Sequence, residues 1–127
     1  MPQESTPPHF PRPAPIDAYG RGGFRFAGIS HRGSLLCLPS GIWAWPVTSL
    51  EQITEASLDR VFEEAGAISI FLLGAGPVSS VLPAALRARF AAARISVEVM
   101  RTGTAVSTYN ILLGEGRRVA AGLIAVE

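Results

Sequence analysis

The sequence predicts a single three-layer α/β domain, and three observations predict it. Residues 68–73 (I-S-I-F-L-L) form a short apolar run closed at once by Gly74, Gly76 and Pro77, the pattern of a strand buried on both faces. Downstream of that run, apolar residues recur first with helical spacing and then in strict alternation, as in chains that wind strand, helix and strand into one open sheet. Upstream, short alternating stretches are separated by clusters of Gly, Pro and Ser, which marks an antiparallel meander.

Taken in order, the chain starts with a Pro-rich stretch. Six of the first fifteen residues are Pro, so few backbone donors and few buriable side chains are present, and residues 1–18 are expected to form a disordered tail ahead of one domain spanning 19–127. Gly20, Gly22 and Gly23 lead into Phe24 and Phe26, which alternate with Arg25 and Ala27 as on a half-buried strand running to Ile29. The polar run S-H-R-G-S then predicts a turn, with His31 solvated at its tip and a hairpin return through residues 35–38. After Pro39, Ser40 and Gly41 comes a third strand, I-W-A-W-P, whose Trp43 and Trp45 share one face. That face either packs beneath a helix or serves as an aromatic contact surface for a partner.

Leu58, Val61, Phe62 and Ala65 fall at i, i+3, i+4 and i+7, which predicts a first helix, with Ser57 suited to its start and Gly66 to its end. Leu82, Leu86, Phe90 and Ala93 predict a second, with Pro83 in its first turn. Ile95, Val97 and Val99 then alternate as a strand. Ala105, Tyr109 and Leu112 suit a third helix, and residues 119–126 close the chain as a strand.

Composition narrows the function classes. Hydrophobic residues make up 48% and charged residues 17% of 127 residues, and eleven basic against ten acidic side chains leave a net charge of +1. Such a chain carries no electrostatic footprint for nucleic acid. No apolar run approaches the eighteen or so residues of a membrane span, no secretory signal pattern opens the chain, and a cytoplasmic protein is expected. The lone Cys37, in S-L-L-C-L-P, reads as a small buried residue. With two His and one Cys in all, no metal site, serine triad or catalytic constellation assembles, and no cofactor is expected.

The glycines after residue 73 invite comparison with a dinucleotide fingerprint, and Glu98 falls 22 residues beyond Gly76. Ser79 stands where the third Gly would be, and Pro77 removes one N–H from the cradle. A P-loop fails for want of a Lys-Ser or Lys-Thr. The better cluster combines the turn at 74–77 with the turn at 102–104, which neighbour one another if their strands are parallel, at carboxyl ends where α/β sheets bind ligands. Gly74, Gly76, Pro77, Thr102, Thr104, Tyr109, Asn110 and Arg117 are therefore the candidate crevice residues, with Arg117 as an anion clamp. In the alternative, Thr102 or Thr104 caps the helix, Asn110 satisfies backbone groups and Arg117 pairs with Glu115.

Three stretches, Y-G-R-G-G-F-R-F, the G-A-G-P that ends the buried run, and M-R-T-G-T-A-V-S-T-Y-N-I-L-L-G-E-G-R-R-V-A-A, carry a resemblance over residues 18–127. The chain resembles a small family of unknown biochemical function whose members include mitochondrial complex I assembly factor 3 and an adipogenesis-associated protein. The resemblance implies a three-layer α/β fold with a mixed central sheet. Relatives commonly carry Asp where this chain has Arg101 and often Arg where it has Ser107. Together, residues and resemblance lead us to expect a non-enzymatic protein-interaction module with respiratory-complex subunits or assembly factors as partners. The alternative is a domain or enzyme that binds a small anion or nucleotide in the crevice.

Overall fold

A computed structural model describes residues 8–78 and 80–127. Eight strands fall into two sheets. β1 (Ile16–Gly20), β2 (Gly23–Phe26) and β3 (Ile29–Arg32) form an antiparallel three-stranded sheet, and β4 (Ser34–Leu38), β5 (Gly41–Trp45), β6 (Ile70–Gly74), β7 (Ser96–Met100) and β8 (Val119–Leu123) form a five-stranded one. The order of the larger sheet is β5-β4-β8-β6-β7. β8 runs antiparallel to β4 and parallel to β6, and β6 runs parallel to β7, so the sheet is mixed.

The connections fix the layers. From β6 the chain crosses outward to β7 through α2 (Ala84–Ala92), then back past β6 to β8 through α3 (Thr102–Gly114). Parallel crossovers are right-handed, so crossings in opposite directions put their helices on opposite faces. Two apolar clusters follow that division. On one side Leu36, Trp45, Phe71 and Leu73 pack with Val61, Leu86 and Phe90. On the other, Leu35, Cys37, Leu72 and Ala121 pack with Ala105 and Tyr109 of α3 and with Phe24 and Phe26 of the small sheet. Small residues dominate the central strand because large ones crowd it. A Cβ at Gly122 would lie 2.9 Å from Phe71 and from Trp45.

Several expectations need correction. The expected tail is ordered over its second half: Phe10 pairs with Ile42 through both backbone groups, Ala14 and Ile16 are buried, and β1 begins at Ile16. Residues 1–7 lie outside the described residues. The first hairpin turns earlier than its polar residues suggest. Ala27 (φ 50°) and Gly28 (φ 77°) make a two-residue loop that pairs Phe26 with Ile29, because two successive positive φ values match the twist of the flanking strands. His31 therefore lies on β3 and not at a turn tip, and residues 35–38 pair with β5 and β8. The first helix is a single turn, α1 (Asp59–Glu63), between 3₁₀ segments. Ser57 bonds to Thr54 instead of capping it, and Gly66 sits inside the following 3₁₀ turn. β6, from the run at 68–73, is an interior strand as its apolar pattern requires, and β8 lies at the middle of the sheet.

His31 offers a test of how the N-terminal segment is seated. Its ring stands 4.8 Å from that of His9, and its Nε2 lies 3.3 Å from the Ser34 carbonyl. Burial first, and then His9, lower its pKa from the usual value, while the Ser34 bond acts the other way. A histidine held neutral in the fold takes up its proton more readily when unfolded, so its contribution is present above about pH 6.5 and declines as pH falls toward the folded value. Thermal melts between pH 7.5 and 5.5 should show a small loss of stability that His31→Gln flattens.

Candidate functional site

The carboxyl ends of β6, β7 and β8 are joined by a short network centred on Thr102. The Thr102 hydroxyl is fully buried; it donates to the Ile124 carbonyl at 2.7 Å and accepts from the Gly76 N–H at 3.0 Å. The Thr102 N–H donates in turn to the Gly76 carbonyl at 2.9 Å. Ala75 donates to Met100 and Ile124 to Gly74, closing the ring of contacts. Two glycines make this approach feasible. A Cβ on Gly74 would stand 2.9 Å from the Thr102 Cα, and Gly76 has φ 105°, where side chains are strained.

Beside this network lies a cleft of about 790 Å³, lined by Tyr19, Gly76, Pro77, Arg101, Thr104 and Ser107 together with the C-terminal residues Ala125, Val126 and Glu127. Tyr19 reaches in from β1, and its ring occupies the space beside Gly103 where any side chain would clash. The Gly22 N–H donates to the Val126 carbonyl at 2.7 Å, holding the C-terminal segment along the cleft wall. The cleft is thus bounded by all three parts of the fold: β6 and α3, the small sheet, and the chain end. Arg101 and the start of α3 favour negative charge on one side, and Glu127 opposes them on the other.

Of the candidate residues, Gly76, Pro77 and Thr104 line the cleft. Gly74 and Thr102 lie behind its wall as structural supports, and neither Thr102 nor Thr104 caps α3 by a side-chain bond. The other three do not belong. Tyr109 is buried among Ala105, Cys37 and Leu72, and burial, followed by the adjacent Cys37, pushes its phenol pKa upward. Cys37 itself is pushed up to about 12 by burial. Asn110 faces β1, where its Oδ1 accepts from the Ile16 N–H and its Nδ2 donates to the Ile16 carbonyl, both at 2.8 Å. Arg117 precedes β8 at the opposite end of the sheet, exposed and 3.8 Å from Glu115. Parallel pairing carries Thr102 and Arg117 to opposite ends because a whole helix separates them.

The two tryptophans differ in their surroundings. Trp45 is 4% exposed, and its Nε1 donates to the Ser57 carbonyl. Trp43 is half-buried; its Nε1 donates to Ser40, and the Arg60 guanidinium lies over its ring at 3.5 Å. Tyr19, Arg101 and residues 125–127 were not foreseen as cleft residues. Helical spacing holds part of the missing signal: Thr102, Ala105, Val106 and Tyr109 are the buried stripe, whereas Thr104, Ser107, Thr108 and Ile111 follow the same spacing on the outer face. Among the described residues, no group of three His, Cys, Asp or Glu is placed to hold a metal, and no helix is long and apolar enough to cross a membrane.

Residues 16–124 match the protein family of unknown function DUF498/DUF598. The chain belongs to that family. Among its solved structures, one described as an outer membrane protein from Bartonella henselae is 51% identical, with a TM-score of 0.91 over 94% of this chain and 100% of its own. The Rpa2829 protein of Rhodopseudomonas palustris is 53% identical, with a TM-score of 0.83 over 99% of this chain and 93% of its own. NADH dehydrogenase [ubiquinone] 1 alpha subcomplex assembly factor 3 of Mus musculus is 33% identical over 115 residues, which is 91% of this chain and 62% of the mouse protein. The chain therefore spans less than two thirds of that relative.

Proposed function

We propose that this chain is a protein-interaction module that assists assembly of an NADH dehydrogenase, binding a subunit through the cleft beside Thr102. The likeness to assembly factor 3 over 91% of the chain carries this reading. The shape of the cleft supports it. Val78, which follows the lining residue Pro77 in the chain, is 69% exposed, an apolar neighbour of the kind that partner surfaces use.

Crosslinked affinity purification from the native host, read by quantitative mass spectrometry, tests this reading. Wild type is expected to enrich NADH dehydrogenase subunits. A Thr104→Trp, Ser107→Trp double variant, altered only at exposed positions, is expected to fold normally and to lose that enrichment by about tenfold or more, the effect of some 1.4 kcal/mol of lost affinity. Equal enrichment by both proteins would remove the cleft from the proposal. Recovery of the chain alone, with no such subunit, would overturn it.

A further inference from the structure

We propose that the outer face of the three-stranded sheet is a second docking surface, which takes an extended acidic segment of a protein partner. The inference rests on the reading that this chain works by binding partners, and it names the chemistry of one of them.

The face is set by strand alternation. Phe24 and Phe26 of β2 point into the core, so exposed Arg25 points outward, on the face that Gly23 shares. The register adds their neighbours: Ala18 opposite Arg25, Gly20 opposite Gly23, Ser30 opposite Arg25 and Arg32 opposite Gly23. A concavity of about 640 Å³ results, with Ala18, Gly20 and Gly23 among its lining residues and Arg21, Arg25 and Arg32 around it. All three arginines are exposed. Exposed Ala18 leaves room on the floor for another chain to approach, while Gly23 is buried against the backbone of His31.

Charge decides what that chain must carry. Among the described residues the ion pairs are Arg89 with Glu55 and Arg117 with Glu115, so none of the three arginines has a carboxylate partner. Asp17 on β1 and Glu127 beside Gly20 and Gly22 are the carboxylates of adjoining segments. Arg25 is steadied by a 2.8 Å bond to Ser30 Oγ. Arg25 and Arg32 thus share one face, with Arg21 in the turn at its edge, in a chain whose net charge is +1. Like charges gathered on one sheet face repel, and an anionic occupant relieves that repulsion.

Spacing selects an extended peptide. Arg32 stands opposite Gly23, two residues along β2 from Arg25, a separation of about 7 Å along the strand direction. Alternate side chains of an extended segment repeat at that same distance of about 7 Å on one face, so carboxylates two residues apart meet both guanidiniums. Single-stranded nucleic acid fits less well, because base stacking needs aromatic platforms and both phenylalanines of β2 are turned inward.

The full chain should be titrated at low salt with a short alternating Glu-Thr peptide, following backbone amide shifts by NMR. Shifts confined to residues 16–32 are expected. An Arg25→Glu, Arg32→Glu variant should weaken binding by roughly a hundredfold, since facing like charges cost several kcal/mol, and a Gln-Thr peptide should not bind. Shifts centred elsewhere, unchanged affinity in the variant, or tighter binding of an oligothymidylate at the same residues would each overturn the assignment. If the peptide fails while NADH dehydrogenase subunits are still captured through the cleft, only this surface falls. If the peptide binds and that capture fails, the assembly reading falls instead.

Discussion

Thr102→Val should destabilise the protein by about 2–6 kcal/mol, because the change keeps the shape and removes the hydroxyl, leaving two buried backbone groups without partners at about 1–3 kcal/mol each. Those groups are the Gly76 N–H and the Ile124 carbonyl, both bonded to an oxygen with no solvent exposure. Against a total of roughly 5–15 kcal/mol for a domain, this is a large fraction. Melting should fall by roughly 10–20 °C for a chain of this size. Thr102→Ser, which keeps the hydroxyl, should lose far less, and a Val variant melting close to wild type would show that the network is dispensable. The cleft should suffer along with stability, since Gly76 and Pro77 are positioned through the same oxygen.

The network also shows what could be read from the residues. The pairing of the turns at 74–77 and 102–104 was legible because each follows an apolar strand pattern, and parallel strands bring such turns together. The division of α3 into faces was partly legible, since its buried stripe at 102, 105, 106 and 109 keeps helical spacing. The role of Tyr19 was not. It depends on a second sheet folding over the start of α3, and that sheet hides its turns in Arg21-Gly22 and Ala27-Gly28, pairs without the Asn-Gly or Asp-Gly signal of tight hairpins. Arg117 misled because polarity near a helix says nothing about which end of the sheet it occupies.

Membership of the DUF498/DUF598 family and the expected α/β class agree with the architecture, and the contacts of the sheet reach back to Phe10. Composition places residues 1–18 in a tail, because prolines usually mark segments that cannot pair. Here Phe10 pairs with Ile42, and Ala14, between Pro13 and Pro15, and Ile16, just after them, enter the core. A Pro-rich stretch can thus be ordered wherever the residues between its prolines have an edge strand and an apolar surface to use.

Asn110→Ala should release the small sheet from α3. The Asn side chain imitates a strand edge, accepting from and donating to the same residue, Ile16, and the pair of bonds spans 94 positions of sequence. Its removal leaves both Ile16 backbone groups to find water at a half-buried site, at about 1–3 kcal/mol. The loss should appear locally before it appears globally. Hydrogen exchange at Ile16 and across β1–β3 should accelerate by roughly ten- to a hundredfold, while β6 and β8 change little, because sheets held by few contacts open as separate units. Asn110→Asp supplies the sharper test. An ionised carboxylate still accepts from the Ile16 N–H but faces its carbonyl oxygen without a proton to donate, so it should resemble the Ala variant at neutral pH. Protonation restores a donor, and protection should recover as pH falls below the carboxyl pKa, relative to wild type at the same pH. Uniform exchange in all three proteins would mean that the apolar contacts of Phe24 and Phe26 hold the sheet unaided, and that the Tyr19 side of the cleft is fixed by packing alone.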